Sequence, residues 1–306
     1  MTKIENIRKE LKEKLLTNGV IEVIGAHNAL GAKMAERYDF DAVWASGFEI
    51  SASYAKPDAN ILTMTEFLAA AKQMAQSTNL PVIADCDTGF GDLNNVSHMV
   101  REYEAAGISA ICIEDKKFPK TNSFVPNRQK LEDINVFCEK IVAAQNAKSD
   151  ENFIVIARIE SLIAGQGMED ALARAEAYKQ AGADMILIHS KKDTADEVFE
   201  FSEKFKNQLP LAVVPTTYPK VSVKELQENN INMVIYANQC LRSSLNAMGQ
   251  MLSTLKMSGN LSSIENMICS MSEIFELQGM NKMIEEEKLI REKTNQKVKD
   301  SFIQYN

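Results

Sequence analysis

The sequence spaces five chemically capable side chains in a suggestive way. Asp85 and Asp87 stand two residues apart, and Glu114, Arg158 and His189 follow at intervals. Each lies at or just past the end of a short apolar run. In extended chain, Asp85 and Asp87 face one side while Cys86 faces the other. Glu114 ends the next run along, roughly 5 Å away if the two runs are neighbours in a sheet. Three carboxylates at one mouth repel unless a proton or a cation sits among them. Oxygen-only donors favour a hard ion, and Mg²⁺ commonly uses one or two carboxylates directly while keeping several waters. The competing reading is that these acids cap helices or pair with lysines on a rim. Arg158 and His189, on successive runs, could together hold one anionic group, because the planar guanidinium suits phosphate. Alternatively, Arg158 only neutralises Glu160 or the acids.

Eight β-branched runs could position these residues: Ile21–Gly25, Ala42–Ala45, Pro81–Ala84, Ala110–Ile113, Phe153–Ala157, Met185–Ile188, Leu211–Val214 and Met233–Tyr236. Helix-period segments separate them. Thr63 with Glu66 and Ser222 with Glu225 fit capping boxes. Asn94 and Asn95 precede an amphipathic run ending at Ala106, with Gly107 as its stop, and Gly182 ends the helix before it in the same way. Strand–helix alternation implies a parallel sheet, and eight units suit a closed (β/α)₈ barrel. No glycine-rich dinucleotide fingerprint follows the first run, which argues against a doubly wound sheet. A single barrel domain over 1–306 is expected, with 241–306 a helical extension. There Met248, Met251, Leu252 and Leu255 recur at helical spacing. Nearly every run ends in a polar group, such as Ser46-Gly47, His189-Ser190, Thr216 or Asn238, at the end where barrels keep their chemistry.

Composition sets outer bounds. The 306 residues carry 42 acidic and 34 basic side chains for a net charge of −8, and no basic stripe suggests nucleic acid. No stretch approaches the roughly 18 apolar residues of a membrane span. The charged N-terminal segment lacks the apolar core of a secretory signal. Five cysteines without a CxxC pair point to reduced thiols and a cytoplasmic setting. His98 reads as a surface helix residue, and His27 as a hydrogen-bonding group near the first strand's end.

The segment EDKKFPKTNSF, Glu114 to Phe124, resembles the EDKxFPKxNS loop of the phosphoenolpyruvate mutase group in the isocitrate lyase/phosphoenolpyruvate mutase superfamily. AHNALGA (Ala26–Ala32), VWASGFEISAS (Val43–Ser53), DCDTGFG (Asp85–Gly91), ARIESLIAG (Ala157–Gly165), GADMILIHSKK (Gly182–Lys192) and VVPTTY (Val213–Tyr218) are similar in the same order. The likeness runs from about Ile24 to Gln278.

That resemblance implies a barrel whose last helix is swapped between subunits, in a homotetramer built as a dimer of dimers. The alternative is that the methionine-rich helices only cover the barrel's end. It further implies Mg²⁺ held directly by Asp85, and through water by Asp87 and Glu114, with Asp58 ordering that water. Ser46, Gly47 and Phe48 match the turn that receives a substrate carboxylate. Leucine is common at the position of Phe48, but the implied contact is its backbone N–H. Lys120, Asn122 and Ser123 match a gating loop, here Lys116–Leu131. Arg158 and His189 match a phosphoryl pocket, and Trp44 and Asn238 match lining positions.

The implied reaction interconverts phosphoenolpyruvate and phosphonopyruvate, the carbon–phosphorus step of phosphonate biosynthesis. Two sister activities compete with it. Phosphonopyruvate hydrolase replaces the asparagine at the position of Asn122. The carbon–carbon lyases carry a cysteine in a KxCGH-like loop, whereas this chain has no cysteine between Cys112 and Cys138. A catalytically silent barrel is the remaining alternative.

Overall fold

The computed structural model describes residues 2–17, 19–126 and 128–303. The elements run α1 (Lys3–Leu15), β1 (Ile21–Ala26), α2 (Ala29–Arg37), β2 (Ala42–Ala45), α3 (Gly47–Ser53), α4 (Met64–Ser77) and β3 (Val82–Asp85). Next come α5 (Leu93–Ala105), β4 (Ala110–Glu114), α6 (Ile134–Ala147), β5 (Ile154–Ile159), α7 (Ser161–Ala164), α8 (Met168–Gln180) and β6 (Met185–Ile188). Then follow α9 (Asp196–Phe205), β7 (Leu211–Val213), α10 (Val223–Glu228), β8 (Met233–Tyr236) and α11 (Gln239–Ser258). A 3₁₀ turn (Leu261–Met267), α12 (Met271–Gln278) and α13 (Met280–Ile303) complete the described chain.

The eight strands pair in parallel, in sequence order, and close into a barrel through β1 and β8. Side-chain alternation along each strand sorts residues into two apolar layers. Val23, Trp44, Ile83, Cys112, Ile156, Leu187 and Ile235 belong to the cluster filling the barrel, which Leu11 and Leu15 of α1 also join. The alternate residues, including Ala84, Ile111, Ala157 and Ile188, pack outward with helix residues such as Phe67, Val100, Phe137 and Phe201. The inward parity continues past the apolar layers to the strands' C-terminal ends. Counting by twos leads from Trp44 to Ser46, Ile83 to Asp85, Cys112 to Glu114, Ile156 to Arg158 and Leu187 to His189. Cys86 drops out of this series and lies wholly buried in the outer layer.

Local signals explain most helix starts. Thr63 and Ser222 form capping boxes with Glu66 and Glu225. The fifth helix begins differently from the sequence reading. Asp92 is its cap, and Asn95 closes the box at the third helical position rather than standing before the helix. An aspartate two residues earlier was the stronger cap. The strand limits also move by a residue or two, with β5 continuing to Ile159 and β4 to Glu114.

The chain divides into two compact units, Met1–Ser243 and Ser244–Asn306. The first holds the barrel. In the second, the regular elements among the described residues are all helices. On α11 it presents Leu245, Met248 and Leu252 to solvent, each about half exposed. Among the described residues, no helix is long and apolar enough to cross a membrane.

Candidate active site at the barrel mouth

At the C-terminal ends of the strands lies a cavity of about 90 Å³. Trp44, Ser46, Phe48, Asp58, Asp85, Glu114, Lys120, Asn122, Ser123, Arg158, His189 and Asn238 all line it, as do Phe124 and Thr216. The two remaining candidates, Gly47 and Asp87, act from behind. Their backbone N–H groups donate to Asp85 Oδ2 and Oδ1, each over 3.3 Å. Every sequence-predicted site residue is therefore at the cavity or one hydrogen bond from it.

One expected detail is corrected. Asp87 was read as extended chain in register with Asp85, but its φ is +50°. The chain has already left the strand there, and Gly89 (φ +89°) continues a tight turn in which a Cβ would meet Val96 Cγ2 at 2.5 Å. Asp87 reaches the site through this turn, not through strand parity.

The acids gather around Lys120. Its buried ammonium lies 2.7 Å from Asp58 Oδ1 and 2.9 Å from Asp87 Oδ1. Asn60, which the sequence reading missed, donates from Nδ2 to Asp87 Oδ2 over 2.6 Å and accepts the Lys120 backbone N–H. Burial pushes the Asp85 carboxyl up, and Lys120 and Arg158 only partly offset it. Burial likewise raises Asp87, to about 7, with neighbouring acids adding to the effect that Lys120 opposes. Asp58 goes the other way: burial would raise it, but Lys120 and Asn122 hold it below the ordinary range. For Lys120 itself burial is unfavourable, yet the surrounding carboxylates raise its ammonium well above the usual lysine value.

These features suit a hard divalent cation. Burial destabilises two of the carboxylates as anions, and buried Glu114 Oε1 accepts no hydrogen bond, with Lys116 Nζ 3.8 Å away. Among the described residues, no group of three or more such side chains is arranged to ligate an ion directly. The buried, partly unpartnered oxygens of Asp85, Asp87 and Glu114 suit an ion that takes one or two carboxylates and fills its remaining positions with water, as Mg²⁺ does.

Opposite the acids, Glu160 organises the cationic wall. It is fully buried and was read only as a possible partner of Arg158. Its Oε1 accepts Arg158 Nε at 2.6 Å and lies 2.7 Å from His189 Nδ1. Its Oε2 accepts Ser123 Oγ at 2.8 Å and faces Lys116 Nζ at 3.0 Å. Burial opposes this charge, but the cations Arg158 and Lys116 and the hydrogen bond from His189 hold the carboxyl well below the usual range. Burial lowers His189, and the nearby guanidinium lowers it further against the pull of Glu160, which favours a neutral imidazole. The strand register fixes the rest, since Glu114 pairs with Arg158 across β4 and β5. Arg158 Nε also lies 3.3 Å from Glu114 Oε2, linking the two walls.

The segment 116–131 roofs the cavity. An antiparallel bridge between Lys116 and Leu131 joins its ends. Within it, Asn122 donates from Nδ2 to Asp58 Oδ2 over 2.7 Å, and its Oδ1 accepts the Phe124 N–H. Ser46 caps α3 by accepting the Glu49 N–H at 3.2 Å. His27 and Glu49 are 3.1 Å apart, which gives His27 a hydrogen-bonding role near the end of β1, while His98 lies exposed on α5.

Fold and site together define a barrel enzyme whose mouth opposes an acidic wall to a cationic one. More particularly, residues 11–256 match the family described as Phosphoenolpyruvate phosphomutase, and the chain belongs to that family. A phosphonopyruvate hydrolase from Variovorax sp. (strain Pal2) is 43% identical over 285 residues, 92% of this chain and 97% of the relative. A solved phosphoenolpyruvate phosphomutase from Streptomyces platensis subsp. rosaceus superposes with a TM-score of 0.90 at 49% identity, covering 92% of this chain and 98% of the other. A phosphonopyruvate hydrolase solved in complex with oxalate and Mg²⁺ gives a TM-score of 0.86 at 42% identity, covering 92% and 97%.

Proposed function

We propose that this chain interconverts phosphoenolpyruvate and phosphonopyruvate by moving a phosphoryl group within one three-carbon acid. The phosphorus–oxygen bond to the enolate oxygen breaks, and the enolate's C3 electron pair forms the new carbon–phosphorus bond. Phosphoryl transfer passes through a loose, metaphosphate-like state, so positioning and charge stabilisation are the protein's task. Arg158, Asn122 and neutral His189 would steady the migrating group, while the Ser46–Phe48 turn would take the carboxylate. Asp85 would hold Mg²⁺, backed by Asp58, Asp87 and Glu114, and the bound ion would supply positive charge to the enolate and carboxylate oxygens. Holding both fragments in one small cavity keeps recombination effectively unimolecular, a gain that can reach about 7–11 kcal/mol. Water has to be kept out, or the phosphoryl group is lost.

The observation that carries this reading is Asn122. It lines the cavity from the roof and is hydrogen-bonded to Asp58, so an amide rather than an open path for water faces the acids. A second reading is hydrolysis to pyruvate and phosphate. It is favoured by the 43% identical relative named as a phosphonopyruvate hydrolase. Phosphorus NMR of phosphonopyruvate incubated with the protein and Mg²⁺ separates them. Phosphoenolpyruvate supports the mutase, inorganic phosphate the hydrolase, and an unchanged spectrum neither.

The same reading extends to assembly. Leu245, Met248 and Leu252 form an exposed apolar stripe on α11, and such stripes mark association surfaces. A homotetramer with helices exchanged between subunits, working in the cytoplasm, is the arrangement we favour. Sedimentation of the purified chain tests the subunit number.

A further inference from the structure

We infer that the buried Lys116–Glu160 pair is a latch that couples closure of the 116–131 roof to the geometry of the Arg158–His189 pocket. The inference deepens the reading above by assigning positioning roles to two residues that do not line the cavity. Lys116 is the first residue of the roof and is 2% exposed. Its Nζ has three partners: Glu160 Oε2 at 3.0 Å, Ser123 Oγ at 2.6 Å and the Thr121 carbonyl at 3.2 Å. Two of the three belong to the roof itself.

Glu160 has the complementary arrangement. One carboxylate oxygen serves Arg158 and His189, and the other serves Lys116 and Ser123. Arg158 NH2 also reaches Ser123 Oγ at 3.3 Å and His189 Nδ1 at 2.9 Å. The carboxylate is thus shared between the anion-binding pair and the roof. Lifting the roof would take Ser123 and Thr121 away from Lys116 and leave a buried ammonium and carboxylate with unmet hydrogen bonds, which is costly. Conversely, a guanidinium displaced from its place beside Glu160 would disturb the oxygen pair on which the roof rests. Roof closure and pocket geometry therefore favour one another.

Trypsin reads the roof directly, because Lys117, Arg128 and Lys130 within it are exposed. The full chain would be digested in Mg²⁺ and oxalate, comparing wild type with Lys116→Met and Glu160→Gln. Each variant should speed cleavage within 116–131 by at least about tenfold, the effect of losing hydrogen bonds to a buried charge from the closed state alone. Cleavage elsewhere and the unfolding midpoint serve as controls for general loosening. The double variant should be no faster than the quicker single, because either change alone releases the latch. Wild-type protection in a folded Lys116→Met variant overturns the inference, as does a double variant whose acceleration is the product of the singles. If Glu160→Gln does not fold, Ser123→Ala takes its place in the same cycle with the same two criteria. Turnover adds a second readout: kcat should fall in Lys116→Met and recover in part in Lys116→Arg, which keeps the cation beside Glu160. The proteolysis result does not depend on whether the product is phosphoenolpyruvate or phosphate, so failure of the latch and failure of the mutase reading are distinguishable.

Discussion

The Gly47 amide and the Asp85 carboxylate are held together, N to Oδ2, at 3.3 Å. The contact ties the turn after β2 to the end of β3, so the proposed carboxylate-binding turn and the proposed metal ligand move as one piece. Asp85 receives a second N–H from Asp87. Its two carboxylate oxygens are thus each oriented by a backbone donor.

Asp85→Ala should abolish activity that excess Mg²⁺ cannot restore, because the remaining acids are assigned to water-mediated contacts. Calorimetric titration with Mg²⁺ should lose its binding heat. A variant that keeps near-wild-type turnover would refute the metal assignment.

Gly47→Ala is the gentler probe of the same contact. A Cβ at Gly47 would sit 3.1 Å from Asp85 Oδ2 and 3.3 Å from its Cγ, so the carboxylate must shift by a few tenths of an ångström. The expected result is a raised Mg²⁺ requirement with little loss of stability, since position 47 lies outside the left-handed region of backbone space. If half-activation by Mg²⁺ is unaltered, the packing of turn against carboxylate does not matter for the metal.

Cys86→Ser should leave kcat unchanged. The thiol is fully buried in the outer layer, where burial and the neighbouring Asp85 push its pKa well up, so it is inert. A hydroxyl placed there costs about 1–2 kcal/mol of stability by denaturant titration. Complete inactivation of a folded Cys86→Ser protein would show that the strand register assigned to the site is wrong.

His189 makes stability depend on pH. Its folded pKa is lowered, first by burial and then by Arg158, whereas an unfolded histidine titrates near 6.5. As pH falls below about 6.5 the unfolded chain takes up a proton that the native state refuses, so stability declines towards acid by up to about 1.4 kcal/mol per pH unit. Asp87, raised to about 7, contributes the opposite slope, but it does so in both proteins and cancels in a difference. Unfolding free energies of wild type and His189→Asn should therefore diverge between neutral pH and about pH 5.5, the variant losing less. Parallel curves would mean the imidazole is not held neutral.

How much of this was legible depends on distance along the chain. The barrel could be read from eight apolar runs with helix signals between them, and the meeting of Asp85, Glu114, Arg158 and His189 at one mouth followed from their places at the C-terminal ends of those runs. Asp87 comes beside Asp85 through a turn and not through the extended parity expected of it, since residue identity does not reveal a positive φ at a strand's end. Asn60 escaped notice because its partners lie 27 and 60 positions away, and a loop asparagine carries no signal of its own. Glu160 and Lys116 were visible only as charges beside other charges. Their importance comes from full burial, which depends on how the roof folds back over β4 and β5. The one available clue was the alternation in Arg158-Ile159-Glu160, which gives an acid and a base the same parity.

Asn122→Ala is the decisive variant for the reaction. The side chain now donates to Asp58 from the roof, and in the proposed cycle it faces the migrating phosphoryl group. Losing a hydrogen bond to a charged group costs about 1.5–3 kcal/mol, or roughly a ten- to hundredfold fall in kcat. The shortened side chain also leaves space where the amide stood, so a larger share of phosphonopyruvate should end as pyruvate and phosphate. Integrated phosphorus spectra give both quantities from one sample. Slower transfer with an unchanged product ratio would confine Asn122 to binding, and the exclusion of water would then have to be sought elsewhere in the roof.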